Sequence, residues 1–332
     1  MNSLQAKNPE LAVILVTPTN YKSIQTTISF LKKQTVKEKI EIVIVAPIQS
    51  KIELKTADLI EFNSYKLVEV DNLDSLASGY AAGIKAAEAP VVALGEDHSF
   101  PEPDWAENLI MAHQNPYAVV GPAIKEGNSG NCISRADLII GYAPWLDPLP
   151  AKEMDFLPGH NSSYKRAILL DHVINLEQML ESETILHWHL RKLGHKLYLE
   201  SKAKTSHVNF SKFNSWIFAQ FYTGRLFAGT RIREMSAFKR MVFVLASPLI
   251  PLVRFYRCCL EIFKPDRYRF SFLLCIPTLL FGLCIDGMGQ TLGYLLGEGN
   301  ANRKLKEYEF NRMAHLAKHD KVMAKHHAKS QL

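Results

Sequence analysis

The triplet Glu96-Asp97-His98 stands one residue, Gly95, after the apolar run Pro90–Leu94. Two carboxylates and an imidazole at the carboxyl end of a buried strand can grip a divalent cation, and such a cation can hold a pyrophosphate. The following Phe100-Pro101-Glu102-Pro103-Asp104-Trp105 turns the chain sharply toward a helix. Taken by itself, the triplet reads equally well as a solvent-facing helix cap.

The elements before it are those that such a site needs. Leu11–Val16 is an apolar, β-branched run suited to a buried parallel strand and too short for a helix. Ser23–Lys33 has helical spacing (Ile24, Ile28, Leu31), Glu41–Val45 and Leu67–Val70 read as strands, and Ser75–Ala89 as a helix. Strands alternating with helices predict a mostly parallel sheet covered on both faces. Ligands of such sheets bind beyond the carboxyl ends of the strands, where the Thr17-Pro18 turn, Ala46-Pro47 and Glu96–His98 gather. Further on, Tyr117–Val120 is a short strand, residues 143–160 are a proline-rich connection, Asn175–Leu193 is one helix ended by Gly194, and His195–Leu199 is a strand. His187, His189 and His195 have charged neighbours and are expected at the surface.

The chain of 332 residues carries a net charge of +6, unevenly distributed. Residues 211–332 hold 19 Lys and Arg against 8 Asp and Glu, and residues 1–210 hold 20 against 25. The basic part also contains the longest apolar runs, and its aromatics are embedded in them. That pattern favours an anionic membrane surface and excludes nucleic acid as partner. Met241–Val253 is uncharged over 13 residues and Phe270–Ile285 over 16, both short of a simple spanning helix. The connection between them carries Arg254, Arg257, Lys264, Arg267 and Arg269 against Glu261 and Asp266. Translocating it would violate the positive-inside tendency, so interfacial or re-entrant helices are favoured over a two-span hairpin. The tail from Ala301 reads as a basic polar helix with His326-His327 near its end. The five cysteines lack metal-ligand spacing and read as small apolar residues of a reducing compartment. The first residues show no cleavable signal, so the enzyme-like part is expected in the cytoplasm.

Six segments, in chain order, resemble family 2 glycosyltransferases. VILVTPTNYKSIQTTISFLKKQTVKEKIEIVIV is similar to the family's first strand-helix-strand unit, with Gln34-Thr35 and Glu41. The Glu96-Asp97-His98 loop resembles its metal-binding loop, with His98 where a second Asp usually stands. Leu157–Arg166 resembles its Gly-x-Asn loop, and Glu183–Gly194 the acidic helix that carries the catalytic base. Ala203–His207 is similar to a small-residue strand ending in His, and Gln220-x-x-x-Gly224-Arg225 to a helix of membrane-associated members.

The resemblance implies an α/β, GT-A-like (Rossmann-like) mixed and mostly parallel sheet flanked by helices, followed by a C-terminal helical membrane-associated region. It implies residues 1–210 as the glycosyltransferase domain, 211–240 as an amphipathic basic linker, 241–300 as apolar membrane-associated helices and 301–332 as a basic tail. The implied reaction is metal-dependent, inverting transfer from a nucleotide-sugar to a lipid-linked or cell-surface glycan at the cytoplasmic face of the membrane. Glu183 is the implied base; Glu96, His98 and His207 the ligands of Mn2+ or Mg2+; and Thr17, Pro18, Glu96, Asp97, His160 and Asn161 the donor-binding set. His160 and Asn161 also read as ordinary loop chemistry. Ala46-Pro47 and Tyr80-Ala81 depart from the family's base-contacting residues. Two alternatives stay open: a polyprenyl-phosphate acceptor, and a non-catalytic binding protein that kept the fold.

Overall fold

The computed structural model describes residues 8–128, 130–264, 272–310 and 312–321. The Asp266–Arg269 connection, the opening residues and the His326-His327 tail, on which expectations were placed above, lie outside the described residues. The chain divides into two compact units: residues up to Ala123 with Leu149–Ser206, and Ile124–Pro148 with His207 onward.

The first unit is built on a mixed sheet with strand order β3-β2-β1-β4-β8-β6-β9-β5. Its strands are β1 (Leu11–Val16), β2 (Ile40–Pro47), β3 (Ser64–Val70), β4 (Val91–Gly95), β5 (Ser99–Pro101), β6 (Tyr117–Glu126), β7 (Lys152–Glu153), β8 (Ser163–Lys165) and β9 (Lys196–His207). β7 pairs with β9, and β6 and β9 carry the chain over into the second unit. β1, β2, β3 and β4 run parallel, and β8 enters antiparallel beside β4. All six residues of β1 are buried, because β2 and β4 flank it and helices cover both faces. The fold class is the one expected: a mixed α/β sheet in which β1–β4 run parallel.

Helices α1 (Lys22–Leu31), α2 (Thr56–Leu59), α3 (Leu76–Ala86) and α4 (Trp105–Ala112) follow their strands. Ile24, Ile28 and Leu31 of α1 pack with Leu11, Val13 and Ile42 in one apolar cluster. α3 starts at a reciprocal Ser75–Ser78 cap. The Gln34-Thr35 and Glu41 motif residues have structural tasks. Gln34 donates to the Glu102 carbonyl (2.8 Å) and accepts from Ala106 N–H (2.9 Å), clamping the turn after the acidic loop. Glu41 is fully buried, accepts from the N–H groups of Glu88 (2.8 Å) and Ala89 (3.0 Å), and pairs with Lys66 at 2.9 Å. Glu41→Ala strands the buried N–H groups of Glu88 and Ala89, while Lys66 keeps its bonds to Glu88 and the Ala86 carbonyl; urea unfolding is expected to show a loss of about 2 kcal/mol.

The structure differs from the sequence reading in several places. Asn175–Leu193 is two helices, α7 (Leu176–Leu180) and α8 (Glu183–Lys192), which follow α6 (Arg166–His172); α5 (Cys132–Tyr142) belongs to the second unit. The short strand at Tyr117 continues to Glu126, and the two strands expected around residues 195–207 are one.

The second unit is helical. α9 (Phe213–Arg231) packs against the helix Ile276–Leu296 so closely that a Cβ at Gly289 would lie 2.1 Å from the Phe221 carbonyl oxygen. Gln220 of the Gln-x-x-x-Gly-Arg motif donates to Asp137 (2.8 Å), which also accepts from Phe210 N–H (2.9 Å). Burial pushes the Asp137 carboxyl up to about 6, against the pull of Arg312. Two helical segments are long and apolar enough to cross a membrane, Ala237–Ile262 and Ile276–Leu296; the first joins the α-helices Ala237–Ala246 and Ile250–Ile262 through a 3-10 turn at Ser247–Leu249.

Candidate active site

Glu96 is the first residue beyond β4, and its position is fixed from all sides within the first unit. Tyr80 of α3 donates its hydroxyl proton to the Gly95 carbonyl (2.9 Å), and Thr27 of α1 donates to the Glu96 carbonyl (2.8 Å). Glu96 Oε2 accepts from Ser99 Oγ (2.9 Å) and Asn161 Nδ2 (3.0 Å). Its other oxygen faces His98 Nε2 at 3.4 Å and His160 Nδ1 at 3.7 Å. Glu96 and His98 are both buried. Asp97 accepts from His98 Nδ1–H at 2.6 Å, and the other ring nitrogen, Nε2, faces Glu96. A carboxylate behind one imidazole nitrogen is how proteins orient the other nitrogen toward a metal.

The loop before β8 delivers the next group. Asn161 has a left-handed backbone (φ 63), a conformation that Asn tolerates better than most residues. Its N–H donates to the Leu94 carbonyl (2.6 Å), which ties the loop to the end of β4. His160 Nδ1 lies 3.5 Å from Glu183 Oε1 and so sits between two carboxylates. Glu183 opens α8, where the helix dipole favours a negative charge. Its carboxyl group covers Gly159; a Cβ there would fall 2.5 Å from Glu183 Cδ and push the carboxyl aside.

Thr17 lies at the same end of the sheet, since Leu15 and Gly95 are paired in the β1–β4 register. Its hydroxyl binds the Asn20 carbonyl (2.9 Å) and Ser23 Oγ (2.8 Å), which shapes the turn at Pro18. His207 belongs to the second unit, where its ring meets Tyr142 Oη and Asn209 Oδ1, both at 3.0 Å.

Several residues of the site carried no sequence signal. Ser99, Thr27 and Tyr80 hold Glu96 through long-range contacts, and Tyr80 was legible only as a departure from the family pattern. His187, expected at the surface, is fully buried. Its Nδ1 accepts from Leu157 N–H (3.3 Å), so Nε2 carries the proton shared with Tyr164 Oη (3.0 Å). Burial lowers His187 to about 3, and burial with Lys165 nearby lowers His113 to about 4. The folded state keeps both rings neutral where the unfolded chain, titrating at its ordinary value, has already taken up protons. Their contribution is therefore complete above about pH 6.5 and is lost as the pH falls toward 4. Urea unfolding at pH 7 and pH 4 should show a loss on the order of 3 kcal/mol from His187 alone. Tyr164→Phe removes the partner of the His187 N–H and should cost about 1–3 kcal/mol at neutral pH.

No family model and no curated protein matches the chain. Among solved structures it is similar to TarS of S. aureus, residues 1–349 in complex with UDP-GlcNAc. That pair has 14% identity and a TM-score of 0.47, covering 90% of this chain and 91% of the other. The same fragment with UDP gives 16% identity and 0.47, covering 90% of each chain. GalNAc-T7 with UDP, GalNAc and Mn2+ gives 11% identity and 0.45, covering 60% of this chain and 44% of the other. The chain spans 55% of the longer TarS structure. None of these likenesses assigns a function to it.

Proposed function

We propose that the protein is a metal-dependent glycosyltransferase that moves a sugar from a nucleotide-sugar to an acceptor hydroxyl with inversion. The observation that carries this reading is the fixed carboxylate of Glu96 at the carboxyl end of a central parallel strand, with two imidazoles on one side and a second carboxylate beyond His160. Open α/β sheets bind nucleotides at that end. The donor set of one carboxylate oxygen and an oriented imidazole nitrogen suits Mn2+ or Mg2+, the imidazole favouring Mn2+. Glu96 and His98 are the proposed ligands, and the assignment of His207 rests on the sequence alone. When bound, the ion supplies positive charge against the diphosphate of the leaving nucleotide.

The residues of the chain do the rest. Thr17 and Pro18 line the donor side at the end of β1, and Asp97 holds His98 in its tautomer. Asn161 holds Glu96 and shapes the acceptor side together with His160. Glu183 takes the proton of the acceptor hydroxyl as its oxygen bonds to the anomeric carbon, while the bond from that carbon to the diphosphate oxygen breaks. The electron pair of that bond leaves with the nucleoside diphosphate. The acceptor is proposed to be a lipid-linked or cell-surface glycan reached from the cytoplasmic face of the membrane, a reading supported by the two apolar helices. Titration of Mn2+ with a thermal-shift readout tests the metal assignment. Stabilisation is expected in the parent protein and not in Glu96→Gln or His98→Ala; equal shifts in all three would overturn it.

A further inference from the structure

The helical segment Ala237–Ile262 presents to solvent an apolar stripe that includes Phe238, Met241, Leu245, Leu249, Leu252 and Tyr256, each more than half exposed. They are carried by the α-helices Ala237–Ala246 and Ile250–Ile262 and by the 3-10 turn Ser247–Leu249 that joins them. The opposite side of the segment faces protein. Ser247, Cys258 and Ile262 are buried there, Thr291 donates to Ser247 (2.9 Å), and Arg254 bonds both Asp286 and the Ile140 carbonyl. Lys239 and Arg257, both exposed, lie on these helices beside the stripe.

The longest charge-free stretch of this segment, 241–253, is about 20 Å long, whereas the hydrocarbon core is about 30 Å thick. A helix with one side on protein, one side apolar and a cationic edge matches a segment lying in the headgroup plane. We propose that this helical segment docks the protein flat on an anionic lipid leaflet, with the stripe among the upper acyl chains and Lys239 and Arg257 on the headgroups. Anionic lipid is favoured over a second copy of the chain because the helix offers no acidic edge to complement the basic one. Its one acid, Glu261, is already paired with Lys264. The proposal does not depend on the transferase reading.

Flotation of the full chain with vesicles tests it, comparing pure phosphatidylcholine with vesicles containing about 30 mol% phosphatidylglycerol. Binding is expected on the anionic vesicles and should weaken at least about tenfold in Leu245→Glu/Leu252→Glu, whose changes point into solvent and leave the melting temperature unaltered. Lys239→Glu/Arg257→Glu should lose the preference for anionic vesicles and keep weak binding to neutral ones. Equal flotation of the parent protein and both variants would overturn the proposal. So would a lipid-independent dimer that Leu245→Glu/Leu252→Glu dissolves, since the stripe would then belong to a second copy. A cysteine placed at position 249 should be shielded from a water-soluble maleimide only when anionic vesicles are present. Shielding without lipid would also count against the docking.

Discussion

Glu96→Gln is expected to lower turnover of a nucleotide-sugar by about 10³-fold, with little change in melting temperature. The substitution keeps the volume of the side chain and an oxygen to accept from Ser99 and Asn161. It removes the negative charge on which His98, His160 and the proposed cation all converge. Ground-state packing is preserved, so the loss must fall on stabilisation of the departing diphosphate. Steady-state kinetics with saturating Mn2+ would show it as a fall in kcat. Activity within threefold of the parent would remove Glu96 from the chemistry. Asn161→Ala provides a graded comparison: it leaves the charge in place but frees the carboxylate to rotate, and the expected loss is smaller, about tenfold.

The second large effect concerns Glu183. Glu183→Gln should reduce transfer to a hydroxyl acceptor by about 10²–10⁴-fold while donor affinity stays unchanged. The amide fills the same space above Gly159, so the loop before β8 keeps its shape. The acceptor class decides the outcome. A phosphate acceptor is already ionised and needs no base, so undiminished transfer in this variant would assign the reaction to a polyprenyl phosphate. Gly159→Ala should impair the enzyme in a different manner. A Cβ displaces the Glu183 carboxyl, so both kcat and the pH profile should change without any titratable group having been removed.

Much of the fold was legible because the first four long strands are local signals. Leu11–Val16 is apolar at every position, and a run of six such residues has few options other than a buried parallel strand. β8 was not legible: Ser163-Tyr164-Lys165 has no strand signature, and it pairs only because β4 and β6 provide edges far away in sequence. The split between α7 and α8 was hidden by a continuous helical period of leucines, although Ser182 has an extended backbone. The assignment of Ile124–Pro148 to the second unit depends on tertiary contacts alone.

The candidate site divides in the same way. Glu96, His98, Asn161 and Glu183 were legible as candidates because residue type and order single them out. The left-handed backbone at Asn161 agrees with its reading as turn chemistry, and its bond to Glu96 adds a task that the turn does not reveal. Ser99, Thr27 and Tyr80 act through hydroxyls that a sequence does not distinguish from any other. His187 misled because polar neighbours on α8 suggested solvent, whereas its own direction on the helix points toward Tyr164 and Leu157.

Turnover of nucleotide-sugars tests the central claim most directly. The purified full chain would be incubated with a panel of UDP-, GDP-, CMP- and dTDP-sugars, with Mn2+ or with EDTA, and free nucleotide release measured. The account predicts slow release from at least one donor that requires the metal and disappears in Glu96→Gln. Absence of release from every donor, or release that is indifferent to both the metal and Glu96, would contradict it.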